Sequence, residues 1–178
     1  GKTTRDVMPP EGEWVDWWTG KAFTGGKTVS VAAPLDTLPL FLRQGGIVPM
    51  LRPTIDTLSP TTDASVDSYA TTPGVLWVRI APGPASKFTL FDGAQIEQED
   101  QGATLSLAKT DGSELKHGVV FEQVGVAKAP SAVTEGGQPL TNAGSLAALE
   151  ATASGWAFEQ GVLLIKVPSG PRTVIVKY

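Results

Sequence analysis

The chain contains no cysteine, one histidine and one asparagine in 178 residues. Disulfides and thiolate metal sites are therefore excluded, and cysteine usage says nothing about a redox compartment. With His117 as the only imidazole, flanked by Lys116 and Gly118, no Ser/His/Asp set can be assembled and the residue reads as an exposed loop position. Asn142-Ala143-Gly144 is not a glycosylation acceptor. No apolar run approaches the length of a membrane span, and no leader or lipidation motif is visible. Positive charge is also in deficit. The net charge is −4 and no basic stripe exists, which argues against nucleic acid as a partner. No glycine-rich phosphate loop follows a strand and opens a helix.

In surplus are 20 glycines and 14 prolines, spaced as punctuation between short alternating segments. Thr28–Ala32 alternates with period two, and Val75–Ala81 is a strand candidate that sets Leu76, Val78 and Ile80 on one face and Val75, Trp77 and Arg79 on the other. Further strands are expected at Leu38–Leu42, Gly46–Met50, Thr104–Lys109, Gly118–Val126, Ala147–Ala153, Trp156–Glu159, Val162–Val167 and Thr173–Tyr178. Within these, Leu146–Thr152 is the one stretch open to a helical reading. Asp92-Gly93 reads as a hairpin turn between Lys87–Phe91 and Gln95–Glu97, with Asp111-Gly112 as a second such turn. Gly1–Met8 reads as the tail of an earlier element. The expected fold is all-β, as two small antiparallel β-sandwich domains. Residues 1–60 form the first and 74–178 the second. Between them the Ser/Thr/Pro-rich 61–73 serves as a linker.

One segment dominates the first third: Ala33-Pro34-Leu35-Asp36-Thr37-Leu38-Pro39-Leu40-Phe41-Leu42-Arg43-Gln44-Gly45-Gly46-Ile47-Val48-Pro49-Met50. Its prolines forbid a helix, and its apolar content demands shelter against a core or another domain. Together with Pro10–Gly20 and Gly25-Gly26, it resembles the region that follows the catalytic barrel in glycoside hydrolase family 31. That family's pattern runs approximately LPxGxWxDxWTG, a GG turn, then APLDxIPLFxRxGxIxP. Phe88–Gly93 is a weaker echo, resembling the start of the same family's distal C-terminal domain, and Val126–Leu140 is a weaker one still, similar to the family's G-V-x-x-x-P-x-x-V stretch. Phe91-Asp92-Gly93 departs from that domain's Y-E-D-D-G by lacking two acids, which weakens any metal or sugar role there.

The resemblance implies a piece of a longer enzyme that hydrolyses α-linked glucosides or xylosides with retention. It implies proximal and distal C-terminal sandwiches, the catalytic barrel of the parent as partner, and no cofactor. The barrel's carboxylates are not in this sequence, so no catalytic residue is expected. Compartment is not legible. Glu97-Gln98-Glu99-Asp100 reads as decoration on a solvated loop rather than as a catalytic pair or a calcium site.

Candidate docking residues are Asp36, Leu38, Pro39, Phe41, Arg43 and Ile47. A local turn role for Asp36 and plain exposure for Arg43 stay open beside docking. Trp14, Trp17 and Trp18 are candidate sugar contacts, against core or interdomain packing as the other reading. Trp77 and Trp156 read as core. Two rivals to the scaffold reading are an autonomous carbohydrate-binding module and a structural or adhesive sandwich.

Overall fold

The computed structural model describes residues 3–178. Six strands occupy the first third: β1 (Thr4–Val7), β2 (Glu13–Asp16), β3 (Ala22–Thr24), β4 (Val29–Ala32), β5 (Phe41–Arg43) and β6 (Ile47–Met50). β1 and β4 pair alone, while β3, β2 and β5 form an antiparallel three-stranded sheet. The expected strand at Leu38–Leu42 begins only at Phe41. Pro39 has no N–H for a ladder, so the chain just ahead of Phe41 joins no strand and is held instead through the Leu38 and Leu40 carbonyls.

The strands from β7 onward build a larger sandwich. They are β7 (Leu76–Ile80), β8 (Ser86–Thr89), β9 (Gln95–Asp100), β10 (Thr104–Thr110), β11 (Val119–Val124), β12 (Ala132–Glu135) and β13 (Gln138–Pro139), then helix α1 (Leu146–Glu150), then β14 (Gly155–Glu159), β15 (Val162–Val167) and β16 (Arg172–Lys177). A six-stranded sheet in the order β13-β12-β16-β10-β9-β8 faces a five-stranded sheet in the order β14-β15-β11-β7-β6. Among the named strands every pairing is antiparallel except that of β7 with β11. The fold is all-β with several antiparallel sheets, as the sequence patterning predicts.

The main core lies between the two sheets. Leu105 and Leu107 on β10, Val174 and Val176 on β16, and Ile96 on β9 meet Val78 on β7, Phe121 on β11 and Ile165 on β15. Alternation decides this, since Thr104, Ser106 and Ala108 take the other side of β10. A second, smaller core sits on the outer face of the five-stranded sheet. There Leu149 of α1 covers Trp77, Val120, Ala157 and Leu164. Ser145 caps the helix by accepting from the Ala148 N–H at 3.2 Å. Ala147–Glu150 is thus helical, not the start of a strand.

Several local expectations shift. Ile47–Met50, which sequence position groups with the first unit, is the edge strand of the five-stranded sheet, with Ile47 opposite Ile80. Glu97–Asp100 is not a loop but the body of β9, with Gln98 buried and Glu97 and Glu99 on the solvent side. Asp111-Gly112 does not close a hairpin. β10 pairs with β9 and β16, and the chain crosses there to the other sheet. Ala132–Glu135 is a strand with no forecast from its sequence.

Candidate functional site

Asp16 sets the geometry at the end of β2. Its Oδ1 accepts from the Thr19 N–H and Thr19 hydroxyl, both at 2.8 Å, and from the Trp18 N–H at 3.1 Å. The Gly20 N–H closes the turn onto the Asp16 carbonyl at 2.8 Å. This side-chain-braced turn is the kind an aspartate nucleates. It throws Trp17 and Trp18 in different directions.

Trp17 faces the sandwich. Its ring lies under the Arg79 guanidinium, with Cζ 4.2 Å from the ring centroid. Arg79 also donates to the Trp17 carbonyl at 2.8 Å and grips Glu122 with two bonds of 2.9 and 3.0 Å. Beside this clamp the backbones of Gly20 and Gly125 touch, and a Cβ on Gly20 would sit 2.4 Å from Gly125. A third tie joins Gly45 and Gly46 to the loop after β7: the Gly45 N–H bonds Ala81 O at 2.8 Å, and the Ser86 hydroxyl bonds Gly45 O at 2.6 Å. Buried Gln98 holds that loop by donating to Pro84 O at 2.7 Å and accepting from the Gly83 N–H at 3.2 Å.

Trp18 points away from these ties. Its Nε1–H donates to Leu38 O at 2.8 Å, and the Trp17 N–H donates to Leu40 O at 2.9 Å. These two bonds lash the proline-broken ribbon to the β2 turn. The ribbon's side chains face solvent: Leu35 is fully exposed, Leu38 68% and Trp18 53%, with Leu40 just over a third exposed. Among the described residues before Leu76, only Pro9 and Ser68 are buried. The first third therefore carries an apolar surface and almost no interior of its own.

The docking candidates divide. Leu38 lies on the open patch, with Pro39 half-buried next to it. Phe41 is half-buried and meets Phe23 edge to face at 5.3 Å. Asp36 is exposed in a turn, accepting from the Thr37 hydroxyl at 3.2 Å. Arg43 is exposed, its guanidinium lying over Gly12, whose missing side chain leaves the room. Ile47 stands apart from the patch and packs on the sandwich core. Of the tryptophans, Trp14 is half-buried and donates to Pro10 O at 2.9 Å. Trp17 is stacked in the junction, and only Trp18 is more than half exposed.

Several of the remaining charged residues are structural ties. Arg52 pairs with Asp67 through Nε at 2.8 Å and through Nη2, and the Thr54 hydroxyl adds a 2.6 Å bond. The Arg52 hydrogen bond holds the Asp67 carboxyl down at about 2. The Ser/Thr-rich connection is thus a loop closed on itself rather than a loose tether. Asp92, at the hairpin tip, accepts from the backbone N–H groups of Leu115, Glu114 and Ala94. Although desolvation pushes its carboxyl upward, those donors hold it below the usual range. On the inner face of β10, buried Lys109 pairs with Asp111, which also accepts from the Gly170 N–H at 2.6 Å. Arg79 and Arg52 escaped sequence reasoning because their partners lie 43 and 15 residues away.

Residues 1–48 match the model described as the glycosyl hydrolase family 31 C-terminal domain. The chain is 29% identical over 167 residues, 89% of its length, to an isomaltosyltransferase of Sporosarcina globispora, of which it spans 14%. It is 32% identical over 92 residues, 52% of its length, to an alpha-xylosidase of Saccharolobus solfataricus, of which it spans 11%. Among solved structures, it is similar to the cycloalternan-forming enzyme from Listeria monocytogenes in complex with pentasaccharide substrate. That match has a TM-score of 0.79 at 25% identity and covers 99% of this chain but 17% of that one.

Proposed function

Since this chain corresponds to a C-terminal region of glycoside hydrolase family 31 enzymes, we propose that it is the non-catalytic scaffold of an enzyme acting on α-glucosides or α-xylosides. Its apolar ribbon packs against the catalytic barrel and steadies it. The unit of residues 1–60 serves as the proximal sandwich and 74–178 as the distal one, with 61–73 between them and Ile47–Met50 lent to the distal sheet.

The observation that carries this reading is the exposed patch of Trp18, Leu35, Leu38 and Leu40 on a segment with almost nothing buried. Large apolar side chains left exposed along a segment with almost nothing buried mark an interaction surface. Covering them removes enough apolar area to stabilise an interface by about 5 kcal/mol. The two hydrogen bonds from the β2 turn give the ribbon a fixed shape before it meets its partner.

The test mixes this chain with the barrel portion of the longer enzyme. The wild-type chain should co-elute with the barrel and lengthen the half-life of its hydrolytic activity on heating. A Leu35→Asp/Leu38→Asp variant should do neither while keeping the near-UV circular dichroism of its sandwich. Equal co-elution of variant and wild type would refute the reading.

A further inference from the structure

A cavity of about 580 Å³ opens on the outer side of the five-stranded sheet, between α1 and the loop that joins β6 to β7. Its size falls within the range of sites that enclose small molecules. Trp77 and Leu149, both nearly fully buried, form its base with Val75 beside them. Charge gathers at its edge. Arg52 spends Nε and Nη2 on Asp67 and lays Nη1 over Gly74, where a methyl group would come within 2.7 Å. Lys166 donates one bond to the Glu150 backbone carbonyl at 2.7 Å, and exposed Glu150 also lines the cavity without forming an ion pair with Lys166.

The balance of that edge selects the ligand class. Asp67 pairs with Arg52, and the edge carries one further charge of each sign in Lys166 and Glu150, so its net charge favours neither an anion nor a cation. A pure hydrocarbon would strip water from these groups and return no hydrogen bond. A neutral polyol with one apolar face satisfies both halves: C–H groups settle on Val75 and Leu149 while hydroxyls reach Arg52, Lys166 and Glu150.

We propose that this cavity, which shares no residue with the exposed Trp18, Leu35, Leu38 and Leu40, binds a short α-glucoside and holds a glucan chain near the enzyme that acts on it. The polyol class follows from the cavity itself; the α-glucoside rests on the family 31 reading above.

The test is a chemical-shift titration of the whole isotope-labelled chain with maltotriose, isomaltotriose and, for contrast, cellotriose. An α-linked trisaccharide should produce saturable shifts at Gly74, Trp77, Leu149 and Lys166. Lys166→Met should weaken binding about tenfold, as loss of a bond to a charged donor does, and Thr72→Tyr, at a residue that lines the cavity, should weaken it by filling the space a sugar ring needs. The proposal is overturned if no α-linked sugar gives saturable shifts. It is equally overturned if the shifts fall on Trp18 or on the face around Ser106, or if both variants bind as wild type. Shifts at the cavity from cellotriose alone would overturn the α-glucoside assignment. None of these outcomes bears on whether the ribbon docks to a barrel, which the co-elution measurement decides separately.

Discussion

Replacing Arg79 by methionine should detach the first third of the chain from the sandwich. The substitution keeps most of the stem volume but removes the two bonds to Glu122, the bond to the Trp17 carbonyl and the cation over the Trp17 ring. Both members of the ion pair are shielded, with side chains 14% and 13% exposed. Glu122 would then be left without its cation in a poorly hydrated place. Breaking a buried pair on one side costs 3–5 kcal/mol, and this pair retains some water, so the lower end applies. The lost contact to Trp17 adds about 1 kcal/mol. Together they set an expectation of about 3–4 kcal/mol in urea unfolding followed by tryptophan fluorescence.

Two further readings sharpen that experiment. Adding Glu122→Gln should recover part of the loss, because the uncompensated carboxylate disappears, giving non-additivity of 1 kcal/mol or more. Hydrogen exchange at the Trp17 N–H, bonded to Leu40, should quicken well before the β10 and β16 amides do. A cost below 1 kcal/mol, or strict additivity of the two substitutions, would refute the claim that this clamp fastens the two parts.

Other parts of the structure give equally direct expectations. The Asp67 carboxyl titrates at about 2 when folded, below its ordinary 3.8; a depressed folded value stabilises above the unfolded one. Closure of the Arg52–Asp67 loop should therefore hold above pH ~4 and fail as pH falls toward ~2, seen as faster amide exchange at Tyr69, whose N–H bonds Thr57 O. Gln98→Leu strips the buried partners of Gly83, Pro84 and Ser86 and should cost about 2–3 kcal/mol by denaturant midpoint; a neutral result would mean that water replaces the amide. Gly20→Ala must place a methyl 2.4 Å from Gly125 at a φ of +67°, so a loss of at least about 2 kcal/mol in thermal unfolding is expected, and an unchanged midpoint would refute the close contact.

The sandwich was legible where short apolar runs bounded by turn residues mark buried strands, whether one face or both are covered. Val75–Ala81 separates Leu76, Val78 and Ile80 from Trp77 and Arg79 as the sequence indicates, and the same holds for Val162–Val167 and the C-terminal strand. Legibility failed where the deciding partner is remote. Nothing local says that Ile47–Met50 lies beside β7, because an edge strand of four half-buried residues looks alike in either sheet. Glu97–Asp100 passes for a loop, since the outer face of a sheet tolerates acids that periodicity ignores. Asp111-Gly112 has hairpin chemistry, yet its aspartate serves Lys109 and Gly170 instead. The ribbon's greasiness was plain from composition. That Ile47 turns inward while Leu35 and Leu38 stay outside depends on the Gly45–Ala81 tie, which no local rule contains.

The central claim is that a partner covers the ribbon in the longer enzyme. Hydroxyl-radical footprinting of Trp18, Leu35 and Leu38 in this chain alone and in the intact enzyme tests it most directly. The account predicts strong labelling of all three in the isolated chain and protection in the enzyme, while Phe91, exposed on the hairpin tip of the sandwich, serves as the reference. Equal labelling of the three in both states would contradict it.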